Sequence, residues 1–171
     1  IYPLSLHDAL PIYDQSQDDT REIALEFSTM FSRIHYVKVP KGEPIGKSRV
    51  LNYGLSITDS EYFLIFDADN QPNPDTVTRL VEQAHSEKKA CGAVGVVKTI
   101  NASTNMLTRM IAIEFQVFQL IMQSGRWKAF KTGSLAGTNM LLRRDVIEDI
   151  GGYDPYALAE DAELTMRITA L

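Results

Sequence analysis

Cysteine, positive charge and long hydrophobic runs are all scarce in this chain, and each scarcity excludes something. The lone cysteine, Cys91, cannot close an internal disulfide; it suits a reducing compartment and the role of a buried structural thiol. No stretch reaches the roughly 18 uncharged apolar residues needed to cross a bilayer as a helix. Lys and Arg number 17 against 22 Asp and Glu, a net charge of −5. That balance argues against a nucleic-acid surface, and any phosphate-bearing ligand would need local cations. There is no internal repeat and no low-complexity tract. A Walker-type phosphate loop is absent as well, because Gly46-Lys47-Ser48 lacks the required first glycine and spacing. What remains is ordinary for one globular domain: 171 residues, 44% apolar and 23% charged.

The chain is organised around Tyr62-Phe63-Leu64-Ile65-Phe66, an unbroken apolar run too short for a helix and long enough for a strand covered on both faces. A central strand is expected. Polarity flips at once to Asp67-Ala68-Asp69-Asn70, and Pro72 and Pro74 forbid continuation of a ladder. Two carboxylates therefore stand where the strand ends, the edge at which open α/β sheets bind ligands. On an extended backbone Asp67 and Asp69 share one face and can approach a single hard cation, which can bridge to a diphosphate. Routine capping and turn-forming aspartates are the plainer reading. An aspartyl-nucleophile phosphatase or phosphomutase is disfavoured by Gln71, where Thr or Val is wanted.

Elsewhere the patterns are local. Asp19 and Glu22 have the spacing of a capping box, with Ser, Thr or Asp open as the true cap. Ile23, Ala24, Phe27, Met30, Phe31 and Ile34 follow at helical spacing, predicting one buried stripe. Tyr36 to Val39 reads as a short strand, completing a parallel strand–helix–strand unit. Lys47 and Arg49 open a helix and could counter a diphosphate or simply be solvated. Asn73 with Pro74 predicts a helix through Val77, Leu80, Val81 and Ala84. The run from Ala93 to Val97 reads as a buried strand in which Gly95 marks a close neighbour. A long helix over residues 105–123 is apolar on nearly every side. Core packing is its first expectation, a membrane-surface face its second. Trp127 could stack on a sugar or anchor the core. The stretch from Gly137 to Arg144 reads as a strand, Asp145 caps a short helix closed by Gly151-Gly152, and Glu160-Asp161 open a last helix. An ionised carboxylate there is either a cap or a general base.

Five of these segments together resemble the family 2 glycosyltransferases of GT-A fold. Asp14-Gln15-Ser16-Gln17-Asp18-Asp19-Thr20 is similar to that family's D-D-S-T-D-D-T, and Gly46 to Asn52 to its G-K-A-x-A-L-N. Asp67-Ala68-Asp69 matches its D-x-D, Gly137-Thr138-Asn139 its G-T-N, and Glu160-Asp161 the end of its T-E-D. Order and spacing agree from Tyr13 to Leu171. The resemblance implies an α/β, Rossmann-like, mostly parallel sheet flanked by helices, and an inverting transfer from a nucleotide-sugar, a UDP-sugar ahead of a GDP-sugar. By it, Asp14 meets the base or ribose and Lys47 the nucleotide or diphosphate. Asp67 seats the nucleotide, and Asp69, with Asp67, holds Mg²⁺ or Mn²⁺. Asp161 takes the acceptor proton; Gly137, Thr138, Asn139, Glu160 and Trp127 border the acceptor. It further implies a glycan or lipid acceptor, no nucleic acid, and a cytoplasm-facing domain whose parent meets the plasma membrane through parts outside this sequence. Two other readings are a sugar-phosphate nucleotidyltransferase, which would release pyrophosphate, and an inactive sugar-nucleotide binding module.

Three departures qualify the match. Gln15 replaces an acid, Ala159 replaces the Thr before Glu160, and the segment before Asp14 does not look like the family's opening strands. Leu4-Ser5-Leu6-His7-Asp8-Ala9-Leu10-Pro11-Ile12 instead resembles a translated sequencing-adapter oligonucleotide, so residues 1–12 are expected to be an artefact without function, with the partial catalytic domain over 13–171. Without an early strand and the segments past Leu171, these residues alone are expected to be poorly stable and inactive. Cooperative thermal unfolding together with sugar transfer would contradict that.

Overall fold

Met140-Leu141-Leu142 opens the most deeply buried strand, β5 (Met140–Arg143), with relative exposures of 0%, 2% and 0%. The computed structural model, which describes residues 8–170, places β5 between β3 (Tyr62–Ile65) and β4 (Gly92–Val94). Period-2 alternation sends Met140 and Leu142 to one side of this sheet and Leu141 to the other. On the first side they pack with Leu51 and Leu55 of α2 (Lys47–Ser56), Ile147 of α6 (Arg144–Asp149), Tyr153, and Leu164 of α7 (Glu160–Thr169). On the second, Leu141 packs with Ala93 and with Leu80 and Ala84 of α3 (Thr76–Ser86). The result is the expected α/β architecture, a sheet with helices on both faces. A second ladder joins β1 (Ile12–Tyr13) in parallel to β2 (Val37–Lys38) through α1 (Thr20–Met30). Ala9 adds a parallel bridge to Ile34. Of the stretch set aside as adapter-like, residues 1–7 lie outside the described residues.

Four expectations need correction. The run at 62–66 is not the central strand of its sheet: β3 lies at an edge, with Ile65 buried and Tyr62, Phe63 and Leu64 half-buried, and β5 takes the centre. The three-stranded sheet is not parallel, since β5 runs antiparallel to both neighbours, with Ile65 opposite Met140 and Val94 opposite the same residue. The long excursion between β4 and β5 returns the chain from the far end, which local sequence does not reveal. The stripe on α1 is mostly uncovered. Ala24 is buried, but Ile23 (53% exposed) and Met30 (63%) face outward, because a two-stranded ladder is too narrow to cover a helix. Finally, the helix expected in the core has no buried residue in α4 (Met106–Gln116), in the π-helical segment Val117–Gln123, or in α5 (Ser124–Phe130). Gly95 does mark a close approach: a Cβ there would lie 2.3 Å from Asn139 Nδ2.

Candidate active site

The antiparallel register of β5 builds the site. Because Ile65 pairs with Met140, the segment just before β5 lies beside the segment just after β3. Asp67 N–H accordingly donates to Thr138 Oγ1 at 2.9 Å, and Thr138 Oγ1 donates to Asn70 Oδ1. A parallel β5 would have carried Thr138 to the opposite end of the sheet. Into this corner α2 projects its first residue. Lys47 Nζ donates to Asp67 Oδ1 at 2.6 Å and to Gly137 O at 2.7 Å, and stands 3.7 Å from Glu160 Oε1. Gly137 has a positive φ of 69°, which spares the turn the strain a side chain would bring. A Cβ there would also point at Asp161 Oδ2, Glu160 Oε1 and Lys47 Nζ, 3.5, 3.7 and 3.8 Å away.

Lys47, Asp67, Gly137, Thr138, Glu160 and Asp161 are thus one cluster drawn from four segments. Glu160 and Asp161 begin α7, in its first turn. Asp161 Oδ1 accepts from Ala162 N–H at 2.8 Å. The helix is tied to the loop before Gly137 by Thr165 Oγ1, which accepts from Leu135 N–H at 2.9 Å and donates to Asp161 O at 2.6 Å. Asp69 is exposed and takes one hydrogen bond, from Asn70 Nδ2 at 3.3 Å. Asn139, at φ 49°, packs beside Gly95 with its buried Oδ1 unpartnered among the described residues. Asp14 follows β1 and pairs with Arg49 at 3.3 Å. Arg49, read as a possible diphosphate cation, is thereby committed to Asp14 and Pro40 O. Trp127 lies outside this hydrogen-bonded cluster, half-exposed on α5 with Lys131 Nζ 5.1 Å from its ring.

Three carboxylates, Asp67, Glu160 and Asp161, gather around one amine, so the corner has an excess of negative charge that a divalent cation would offset. Among the described residues no group of three or more His, Cys, Asp or Glu side chains could hold a metal ion. Asp67 and Asp69 carry hard oxygen donors that would leave most positions of such an ion to others. That fits Mg²⁺ or Mn²⁺ shared with phosphate oxygens, and it does not fit a fully protein-ligated ion.

Sequence reasoning passed over Asn52 and Tyr153. Asn52 Nδ2 donates to Tyr153 O and Oδ1 accepts from Tyr153 N–H, both at 2.8 Å across 101 positions, fixing the turn before α7 to α2. No local signal announces a contact that distant. The Tyr153 hydroxyl is buried without a partner among the described residues. Burial, followed by the negative charges of Glu160 and Asp161, holds this phenol well above its ordinary value of 10.0. A raised folded-state value means that the stability tied to this proton is intact below pH 10 and is lost as the unfolded chain ionises above it. In Tyr153→Phe we expect a gain of about 1 kcal/mol at neutral pH, from removing an unpaired buried hydroxyl, and a shallower loss of stability above pH 10. Urea melts of both proteins across pH read this directly; a less stable variant at neutral pH would reveal a hydrogen bond to the phenol.

The fold is that of the GT-A class. A solved mannosyltransferase of Pyrobaculum calidifontis, in complex with GDP-Man and Mn²⁺, superposes with a TM-score of 0.71 over 94% of this chain and 42% of its own, at 22% identity. The sequence model described as Glycosyl transferase family 2 matches residues 8–151, a match that starts inside the adapter-like stretch. The chain belongs to that family. Among curated relatives it is similar to the probable glycosyltransferase YdaM of Bacillus subtilis, 40% identical over 98% of this chain and 40% of that protein. A beta-monoglucosyldiacylglycerol synthase of Trichormus variabilis is 30% identical over 98% of this chain and 35% of its own length. The chain therefore spans well under half the length of these relatives.

Proposed function

We infer that the protein transfers a sugar from a nucleotide-sugar to an acceptor hydroxyl with inversion at the anomeric carbon. The observation that carries this reading is the convergence of Lys47, Asp67 and the Glu160–Asp161 pair around Gly137. The donor diphosphate takes the place now held by internal acceptors of Lys47, and Asp14 beyond it faces the nucleoside. Asp67 and Asp69 would hold Mg²⁺ or Mn²⁺, which would supply positive charge to the leaving diphosphate. Asp161 accepts the proton of the acceptor hydroxyl while that oxygen bonds to the anomeric carbon and the bond to the diphosphate breaks on the opposite face. A centre of oxocarbenium character needs the base only as charge develops on the incoming oxygen.

The acceptor is proposed to be a glycolipid or glycan, a reading supported by the lipid product in the name of the Trichormus relative. The neighbouring mannosyltransferase carries GDP-Man, so the UDP preference gains nothing from it, and the donor is proposed only as a nucleoside-diphosphate sugar. Chelation of divalent cations should abolish turnover, added Mn²⁺ or Mg²⁺ should restore it, and the released nucleotide should be a nucleoside diphosphate by chromatography. Pyrophosphate released from a nucleoside triphosphate and a sugar 1-phosphate would select the nucleotidyltransferase reading, and turnover indifferent to chelation would remove the metal.

A further inference from the structure

The helix from Met106 to Phe130 is amphipathic in the wrong sense for a protein interior. Its inward side is polar: Gln119 exchanges two hydrogen bonds with the Val97 backbone, at 2.6 and 2.9 Å, and Gln123 Nε2 donates to Ser134 O at 2.8 Å. Its outward side is apolar, with Leu107 66% exposed, Ile113 60% and Met122 53%. A shallow groove of about 690 Å³ runs along that side from Leu107 past Met110, Ile111 and Phe118 to Met122, with Glu114 the one charged side chain lining it. A contiguous apolar face of this extent marks a surface that something covers.

Charge identifies the cover. Residues 98–131 carry Lys98, Arg109, Arg126, Lys128 and Lys131 against Glu114 alone, in a chain whose net charge is −5. All five cations are exposed. The other uncovered apolar face, on α1, has the opposite surroundings, with Asp14, Asp18, Asp19, Glu22 and Glu26 against Arg21. A second copy docked face to face would bring together two surfaces of the same positive charge, which like-charge repulsion opposes. We propose that the outer face of this helix lies in the interface of an anionic bilayer, its apolar side chains among the acyl chains and its flanking cations on the headgroups. No helix among the described residues is long and apolar enough to cross a membrane, so the mode is adsorption along the surface. Val97 and Ser134, the two anchors of the helix, flank the strands that present Asn139 and Gly137, so adsorption would seat the candidate active site beside the bilayer. The inference does not depend on the reaction, because its readout is binding.

The test is flotation of the purified chain with vesicles of phosphatidylcholine alone or mixed with phosphatidylglycerol, which leaves aggregates at the bottom of the gradient. Fluorescence of Trp127, the single tryptophan, is read in parallel. Flotation and a blue shift are expected with the anionic vesicles. Partition should fall at least about tenfold in Ile113→Gln/Phe118→Gln and about fivefold for each cation removed in Arg126→Gln/Lys128→Gln/Lys131→Gln. Phe27→Gln/Met30→Gln on the acidic α1 face should float like the parent sequence, and circular dichroism of all variants controls for folding. Absence of flotation, equal flotation with neutral vesicles, or equal loss in the α1 variant would overturn the proposal. A dimer that the Ile113/Phe118 change dissociates without altering flotation would assign the face to a second copy.

Discussion

Asp161→Asn in the purified protein is expected to lower turnover by about 10³-fold while leaving affinity for the nucleotide-sugar within about twofold, because a positioned general base contributes on that order to a proton transfer. The change keeps size and one acceptor oxygen, so the bond from Ala162 N–H survives and α7 keeps its start. What is lost is the ability to take a proton from the acceptor, and with it the interaction made only in the transition state. Glu160, its neighbour in the first turn, stands 3.7 Å from Lys47 Nζ and does not substitute for Asp161. Pre-steady-state turnover and calorimetric donor titration separate the two quantities. Retention of turnover in this variant would favour the binding-module reading or another base.

Lys47→Met is the second large effect, with kcat/KM expected to fall by about 10²–10³-fold. Its amine reaches three groups from three segments, Asp67 Oδ1, Gly137 O and the Glu160 carboxylate. Removing it deprives the diphosphate of a cation and leaves Asp67 and Glu160 without the charge between them. Stability should change little, since Lys47 and Asp67 keep 34% and 41% of their side-chain surface exposed and water screens them. Lys47→Arg should not rescue, because acceptors at 2.6 and 2.7 Å suit a compact ammonium better than a planar fork. Kinetics with thermal melts as a control check this; activity within twofold of the parent would remove Lys47 from the site.

The residues of the candidate site are legible because they punctuate the chain. Asp67 and Asp69 follow an apolar run, Lys47 and the Glu160–Asp161 pair open helices, and Gly137 precedes a strand. Such boundaries are local, and local patterns are what a sequence displays. Strand direction is not local: Met140-Leu141-Leu142 reads identically whether it runs with β3 or against it, yet only the antiparallel choice puts Thr138 on Asp67. Coverage is also not local. Helical spacing in α1 is plain and the run over residues 105–123 is apolar on nearly every side, but neither pattern says what lies over those faces. The Asn52–Tyr153 tie spans 101 positions and leaves no trace in either neighbourhood.

The most direct measurement of the central claim, that the departing diphosphate and Asp161 stand on opposite sides of a sugar, is proton NMR of the first product formed from a donor of known anomeric configuration. The predicted result is an inverted linkage with a nucleoside diphosphate released for every sugar transferred. A product that retains the donor's configuration would contradict it.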